Sequence, residues 1–320
     1  MGWKTARRAL TFAASKPTKS TKLARGGHLV GGNVTAYFNS LDNKTEPLIR
    51  YFVLNSQIPG IFNLGGDLAL FARLIRAGNR QRLLDYAKLC VELCYLNSVG
   101  LNLPLTTISV VEGTAMGGGL ESALAANVFI ATENAEMGFP EIRFNLFPGM
   151  SAYSFLARQS GIINAEKIIG SGATYSARDF YKMGIVDRVI SSENTKASVD
   201  KYIQQHRRTG NGLRAIQLAR QRYHPVDYRE LEDITKIWVN AAFSLEERDL
   251  RMMDRLVRAQ SIKMAEKKKT SLLRTKQDRR FSTDHSSFPL KDWSGNTITT
   301  DRRKDYDRRQ DYDEPLVCNE

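Results

Sequence analysis

Three cysteines and four histidines in 320 residues, with no long apolar run, set the first limits. Cys90 and Cys94 stand one helical turn apart on an apolar face, so core packing is the expected role of the pair rather than a disulfide or metal site. So sparse a cysteine content suits a reducing cytoplasm. His28, His206, His224 and His285 fall in separate stretches, and no nucleophile arrangement or metal-ligand cluster forms around them. The longest nearly apolar run, near Ala123–Ala131, is far short of the roughly 20 residues that a membrane-spanning helix needs. Arg7-Arg8 has the look of a twin-arginine signal, but Lys16 interrupts the apolar core too soon, and no export signal is expected. Acidic residues are the scarcer sign, giving a net charge of +13. That surplus would suit nucleic acid, an acidic protein partner, a phosphate-bearing group, or simply a solvated surface. Arg207-Arg208 and Lys267–Lys269 lack interleaved aromatics, which argues against single-stranded nucleic acid.

What is present is organised around 111–121, Val-Glu-Gly-Thr-Ala-Met-Gly-Gly-Gly-Leu-Glu. The β-branched run Thr106–Val111 leads into it and a short apolar helical pattern (122–126) leaves it, so a strand is delivered through three glycines to a helix N-terminus. The first N–H groups of that helix lack internal partners and carry the positive end of its dipole, which favours negative charge. A second such turn, 61–68 (Ile-Phe-Asn-Leu-Gly-Gly-Asp-Leu), follows the strand Ile49–Leu54 and precedes a helical pattern over Leu68–Ile75. Residues 80–97 form an amphipathic helix, Val128–Ala131 a buried strand, and Ala152–Gln159 and Ala165–Ile169 helices. Ser176-Ala177-Arg178-Asp179 fits a capping box that starts a helix through Met183, with a strand returning over Ile185–Ile190. Leu231, Ile234, Trp238, Ala241 and Leu245 make one apolar stripe, and Leu250, Met253 and Val257 a second. This helical hairpin lacks a core of its own and must pack on the main domain or on another subunit. Ala9–Ala13 is partly strand-like, and His28–Tyr37 has little periodicity.

The chemistry rests on backbone donors and two carboxylates. Two glycine turns, each between strand and helix, can each aim an N–H at one ligand oxygen, the usual way to stabilise an enolate or tetrahedral oxyanion. Glu121 lies in the first turn of its helix, where a carboxylate is held ionised. Glu141, in Gly-Phe-Pro-Glu-Ile-Arg-Phe, has apolar neighbours that favour a raised pKa. Environments that separate two pKa values make an acid/base pair. The competing roles are helix-dipole compensation for Glu121, a salt bridge to Arg143 for Glu141, and close helix–strand packing for Gly117–Gly119. A dinucleotide site is a further alternative, but Gly117-x-Gly119-x-x-Ser122 only approximates the G-x-G-x-x-G fingerprint.

These motifs resemble the crotonase superfamily of enoyl-CoA hydratases and isomerases, through residues 62–68, 113–121, 137–141 and 177–189. More narrowly, residues 51–54, 60–67, 147–155, 227–231 and 253–260 are similar to the diffusible signal factor synthases, so that the likeness covers roughly 49–260. The resemblance implies an α/β fold, a spiral of ββα units with a C-terminal helical hairpin, assembled as a homotrimer or hexamer. It implies an oxyanion hole from the backbone N–H groups of Leu64 (or, one residue on, Gly65) and Gly118, with Glu121 and Glu141 catalytic. Gly66 and Gly117 would contact substrate, and Phe139, Phe144, Phe147, Met150 and Phe155 are candidates to line an apolar acyl pocket. The substrate would be a 3-hydroxyacyl chain on acyl carrier protein, or on CoA, held as a phosphopantetheine thioester with no resident cofactor or metal. Dehydration and hydrolysis would release a cis-2-unsaturated fatty acid, a quorum-sensing signal. The alternatives are an ordinary enoyl-CoA hydratase or isomerase, and a catalytically idle binding protein of the same fold. The expected organisation is a basic segment over 1–48, the core over 49–205, a helical region over 206–262 and a charged, disordered tail over 263–320. No nucleic acid or transmembrane segment is expected, and the cytoplasm is the expected location.

Overall fold

The computed structural model describes residues 10–14, 50–56, 58–262, 290–291 and 297–298. The chain divides into two compact units, 1–269 and 270–320.

In the first unit β1 (Leu10–Ala14), β2 (Tyr51–Ser56), β4 (Thr106–Val111), β6 (Val128–Thr132) and β9 (Arg188–Ile190) form one sheet in the order β1-β2-β4-β6-β9. All its pairings are parallel except β1 with β2. The second sheet orders β3 (Ile61–Asn63), β5 (Thr114–Met116), β7 (Glu136–Gly138) and β8 (Thr174–Ser176) as β3-β5-β7-β8. The chain therefore lays a strand in the first sheet, turns a corner into the second, and returns through helix before repeating the step. This is the expected spiral of ββα units. Its corners are bonded to one another: Thr114 N–H donates to the Gly60 carbonyl and Glu136 N–H to the Gly113 carbonyl, each at 3.1 Å.

Strand β4 is buried along its whole length, which is why it reads as an unbroken apolar, β-branched run. Alternate residues of β2, β4 and β6 serve two cores. Phe52, Leu54, Val111 and Phe129 face the main core, while Tyr51, Val53, Ile108, Val110 and Ile130 face Val199 and Ile203 of α7 (Thr195–Arg208). Helices α1 (Leu68–Arg76) and α2 (Arg80–Ser98) follow β3, and α3 (Gly118–Leu124) follows β5. Helices α4 (Ala152–Ser160), α5 (Ile162–Ser171) and α6 (Ala177–Lys182) then lead toward β9. The capping box at α6 forms as its sequence requires: Ser176 Oγ accepts from Asp179 N–H at 3.2 Å and Asp179 Oδ2 accepts from Ser176 N–H at 3.0 Å.

Helix α8 (Gly210–Tyr223) lies within the helical region expected over 206–262, whereas α7 was not anticipated and spans the expected boundary at 205/206. The expected strand Ile185–Ile190 is confined to its last three residues.

The hairpin comprises α9 (Tyr228–Ala242) and α10, the last helix among the described residues, over 247–262. It packs on α1 and α2 of its own chain, making a second core from Phe71, Leu74, Leu83, Val91, Trp238, Leu250 and Met253. The buried face of α9 is Leu231, Thr235, Trp238, Val239 and Ala242, not the stripe through Ile234 and Ala241. A threonine can sit in this seam because its hydroxyl is satisfied by the Gly149 and Leu231 carbonyls at 2.9 and 2.8 Å.

In the second unit Leu290–Lys291 pairs antiparallel with Thr297–Ile298, local order that the expectation of a disordered tail did not include. The rest of that expectation, and the reading of His28–Tyr37, lie outside the described residues. Among the described residues no helix is long and apolar enough to cross a membrane.

Candidate active site

The two glycine turns nest against each other. A Cβ on Gly65 (φ +100°) would stand 2.9 Å from the Met116 carbonyl oxygen and 3.5 Å from the Gly118 nitrogen. Only glycine allows that approach and that backbone angle together. Gly65 N–H turns back onto Asn63 Oδ1 at 2.9 Å, which removes it as a donor toward a ligand and corrects the expectation that it could share the oxyanion hole. Gly117 N–H is likewise spent, on the Gly138 carbonyl at 2.9 Å. Gly118 opens α3, so its N–H has no partner within that helix. Leu64 precedes this pinned Gly65 at the end of β3.

Glu121 is 2% exposed. Its Oε1 accepts three backbone N–H groups, from Met150 at 2.9 Å, Ser151 at 2.8 Å and Ala152 at 3.0 Å. Ser151 is the N-cap and Ala152 the first residue of α4, so the carboxylate is held at the start of a different helix from its own. Burial raises its pKa above the ordinary carboxylate range, and the three donors offset only part of that rise. Oε2 is turned toward the glycine turn, 3.7 Å from where a Cβ on Gly118 would stand.

Glu141 sits in a single 3-10 turn, Pro140–Phe144, which proline at the first position favours. Its Oε2 is sealed from solvent and has no hydrogen-bond partner. Burial first, and the negative charge of Glu121 second, push its pKa up to about 8. Both carboxyls are therefore raised above the ordinary carboxylate range, whereas the sequence led to an ionised Glu121 beside a protonated Glu141. The proposed salt bridge to Arg143 does not form; that guanidinium donates to the Gly172 carbonyl at 2.7 Å.

Both carboxylates open onto one cavity of about 30 Å³. Its polar side is Gly66, Gly118, Glu121 and Glu141, and its apolar side includes Leu68, Phe71, Phe144, Leu146, Met150 and Trp238. Of the expected pocket residues, Gly66, Phe144 and Met150 line it. Gly117 meets the site through Glu141, whose Oε1 lies 2.3 Å from the position of a Cβ on that glycine. Phe139 and Phe155 belong instead to the main core, and Phe147 is packed between the two cores, so these three do not line it. Sequence reasoning missed Phe71 and Trp238, which meet edge to face at 5.3 Å between ring centroids. The available signal was a tryptophan in the α9 stripe with a Pro148-Gly149 pair to receive it, since Trp238 lies directly over Gly149.

Two buried carboxyls and a turn of backbone donors stand around one small apolar-walled cavity on an α/β crotonase fold. The chain belongs to the enoyl-CoA hydratase/isomerase family, whose model matches residues 33–237. That match begins inside the N-terminal segment expected to fall outside it. Among curated relatives, human mitochondrial methylglutaconyl-CoA hydratase is 28% identical over 148 residues, 46% of this chain and 41% of that protein. The fatty acid oxidation complex subunit alpha of Pseudomonas syringae pv. tomato is 37% identical over 103 residues, 32% of this chain and 14% of that protein. The matched region thus spans less than half the length of these relatives. Among solved structures, enoyl-CoA hydratase from Bacillus halodurans superposes with a TM-score of 0.56 at 17% identity, covering 70% of this chain and 88% of that one. An enoyl-CoA hydratase/isomerase from Xanthobacter autotrophicus Py2 gives 0.54 at 20% identity, covering 71% and 82%. These two likenesses speak to the fold.

Proposed function

We propose that the protein adds or removes water at C2–C3 of an acyl thioester. The observation that carries this reading is a pair of carboxyls on one cavity, Glu121 with three backbone donors on Oε1 and Glu141 with an unpartnered, sealed Oε2. In the dehydration direction Glu121, ionised, takes the C2 proton, and the C2–H electron pair moves into an enolate on the thioester. The C3–O bond then breaks, and the hydroxyl leaves as water with the proton of Glu141. The enolate oxygen is stabilised by the N–H groups of Leu64 and Gly118, a single such donor being worth about two to three orders of magnitude in rate. Both carboxyls return to their starting states by proton exchange with solvent.

Within that chemistry the favoured substrate is a 3-hydroxyacyl chain on acyl carrier protein, followed by water attack on the thioester carbonyl to release thiol and a cis-2-enoic acid. Two stretches similar to signal factor synthases support it by their position. Residues 147–155 carry the donors that hold Glu121, and 253–260 end at the first glycine turn. The net charge of +13 complements an acidic carrier. Phosphopantetheine arrives with the substrate, and a homotrimer or hexamer is the assembly in this reading. An ordinary enoyl-CoA hydratase rests on the same carboxylate pair and differs in stopping at the thioester.

Purified protein incubated with 3-hydroxyacyl carrier protein, and separately with enoyl-CoA, separates the readings by mass spectrometry of the products. Free cis-2-enoic acid supports the full proposal, an enoyl or 3-hydroxyacyl thioester without release supports the hydratase, and no turnover of either substrate refutes both. Glu121→Ala and Glu141→Ala should each abolish product while keeping the wild-type circular dichroism; full activity in either would sink the mechanism.

A further inference from the structure

Helix α10 is clamped along α1. Arg76, at the end of α1, donates to Glu247 at 2.8 Å and to Asp254 at 3.0 Å, while Leu250 and Met253 are buried in the second core. These contacts already anchor the helix. Beyond them, Gln260 extends its side chain to the opposite end of α1 and donates Nε2–H to the Leu64 carbonyl at 2.8 Å, across 196 positions of sequence.

That bond falls on the peptide joining Leu64 to Gly65. Its N–H end is held by Asn63 Oδ1 at 2.9 Å and its oxygen by Gln260, so the unit is fixed at both ends. Fixing it sets the backbone angle at Leu64, and with it the direction of the Leu64 N–H on the preceding peptide. Gly66, next along, lines the cavity. Ordering a long amide side chain for one hydrogen bond costs more conformational entropy than such a bond typically returns. Stability alone therefore gives little reason for it.

We propose that Gln260 is a positioning residue. Held on the last helix, it orients the strand-side half of the oxyanion hole, and the hole is complete only when α10 is docked. This deepens the reading above, since it assigns Leu64 N–H to the thioester oxygen.

The test is Gln260→Met, which keeps the length of the side chain and removes the donor, with Met253→Ala as the control for loosening of the helix. Three quantities are read: kcat and KM for an acyl thioester, Tm, and amide hydrogen exchange over 63–67. Gln260→Met should lower kcat about tenfold to a hundredfold with KM nearly unchanged, the scale of a small misalignment of a catalytic group. Exchange over 63–67 should accelerate while Tm stays at the wild-type value. Met253→Ala should lower Tm and, below its melting transition where α10 stays docked and Gln260 keeps its bond, leave kcat unchanged. Wild-type kcat and wild-type loop exchange in Gln260→Met would overturn the proposal, as would a kcat that falls only in step with Tm. If the wild-type protein turns over no thioester, the reading of function fails instead, and unchanged exchange over 63–67 would then overturn the hold of Gln260 by itself.

Discussion

Replacing Glu141 by glutamine should remove a large part of the dependence of stability on pH. The carboxyl titrates near its ordinary value of 4.5 when the chain is unfolded and near 8 in the fold. Between these values the native state holds a proton that the unfolded state has released, so stability falls as pH rises. The contribution is complete below 4.5 and lost as pH passes through about 8. At about 1.4 kcal/mol per pH unit, the span is worth about 5 kcal/mol. This is an upper figure, because the residue as a whole is only half-buried although its Oε2 is sealed, and a small shift of the 3-10 turn would admit water to the ionised form. Glutamine keeps the shape and never ionises. Urea unfolding of both proteins from pH 5 to pH 9 measures the difference directly. Glu141→Gln should gain on the wild type by several kcal/mol across that range, most steeply between pH 5 and 8. Curves that stay parallel, within the roughly 10–15% uncertainty of extrapolation, would refute the reasoning that burial and the charge of Glu121 hold the proton on Glu141.

The same titration should appear in catalysis, as a fall in rate above about pH 8 with a single-proton slope; an unchanged rate to pH 10 would deny Glu141 the role of acid. Gly117→Ala places a methyl 2.3 Å from Glu141 Oε1 at φ +52°. The backbone strain is about 1–2 kcal/mol, and the displaced acid should cost on the order of a hundredfold in kcat; melting curves and steady-state rates report the two separately, and a wild-type rate would contradict the geometry. Ser176→Ala breaks the capping box of α6, remote from the cavity, and should cost about 1 kcal/mol in urea unfolding with kcat untouched.

Much of this molecule is written in short stretches of sequence. Three glycines after a β-branched run demand a tight strand-to-helix turn, Ser176 and Asp179 cap the helix they begin, and the fully buried Thr106–Val111 reads as a strand without any partner in view. These features follow from backbone sterics and side-chain period, which act within a few residues. The presence of the two carboxylates in these motifs was legible for the same reason; the burial that raises both of them was legible only for Glu141. Their partners were not. Glu121 finds its donors about thirty positions on, at the start of another helix; Trp238 settles over Gly149; Gln260 reaches Leu64 from the last helix. Thr235 takes a buried place that periodicity assigned to Ile234, because a carbonyl from a distant turn satisfies its hydroxyl. Gly65, a candidate donor by its position in the motif, is withdrawn by a bond to Asn63. Which donor meets which acceptor depends on how whole elements pack. The sequence by itself determined the turns, the strands and the chemical groups, whereas only the tertiary structure decided which of them share a cavity and which proton is kept there.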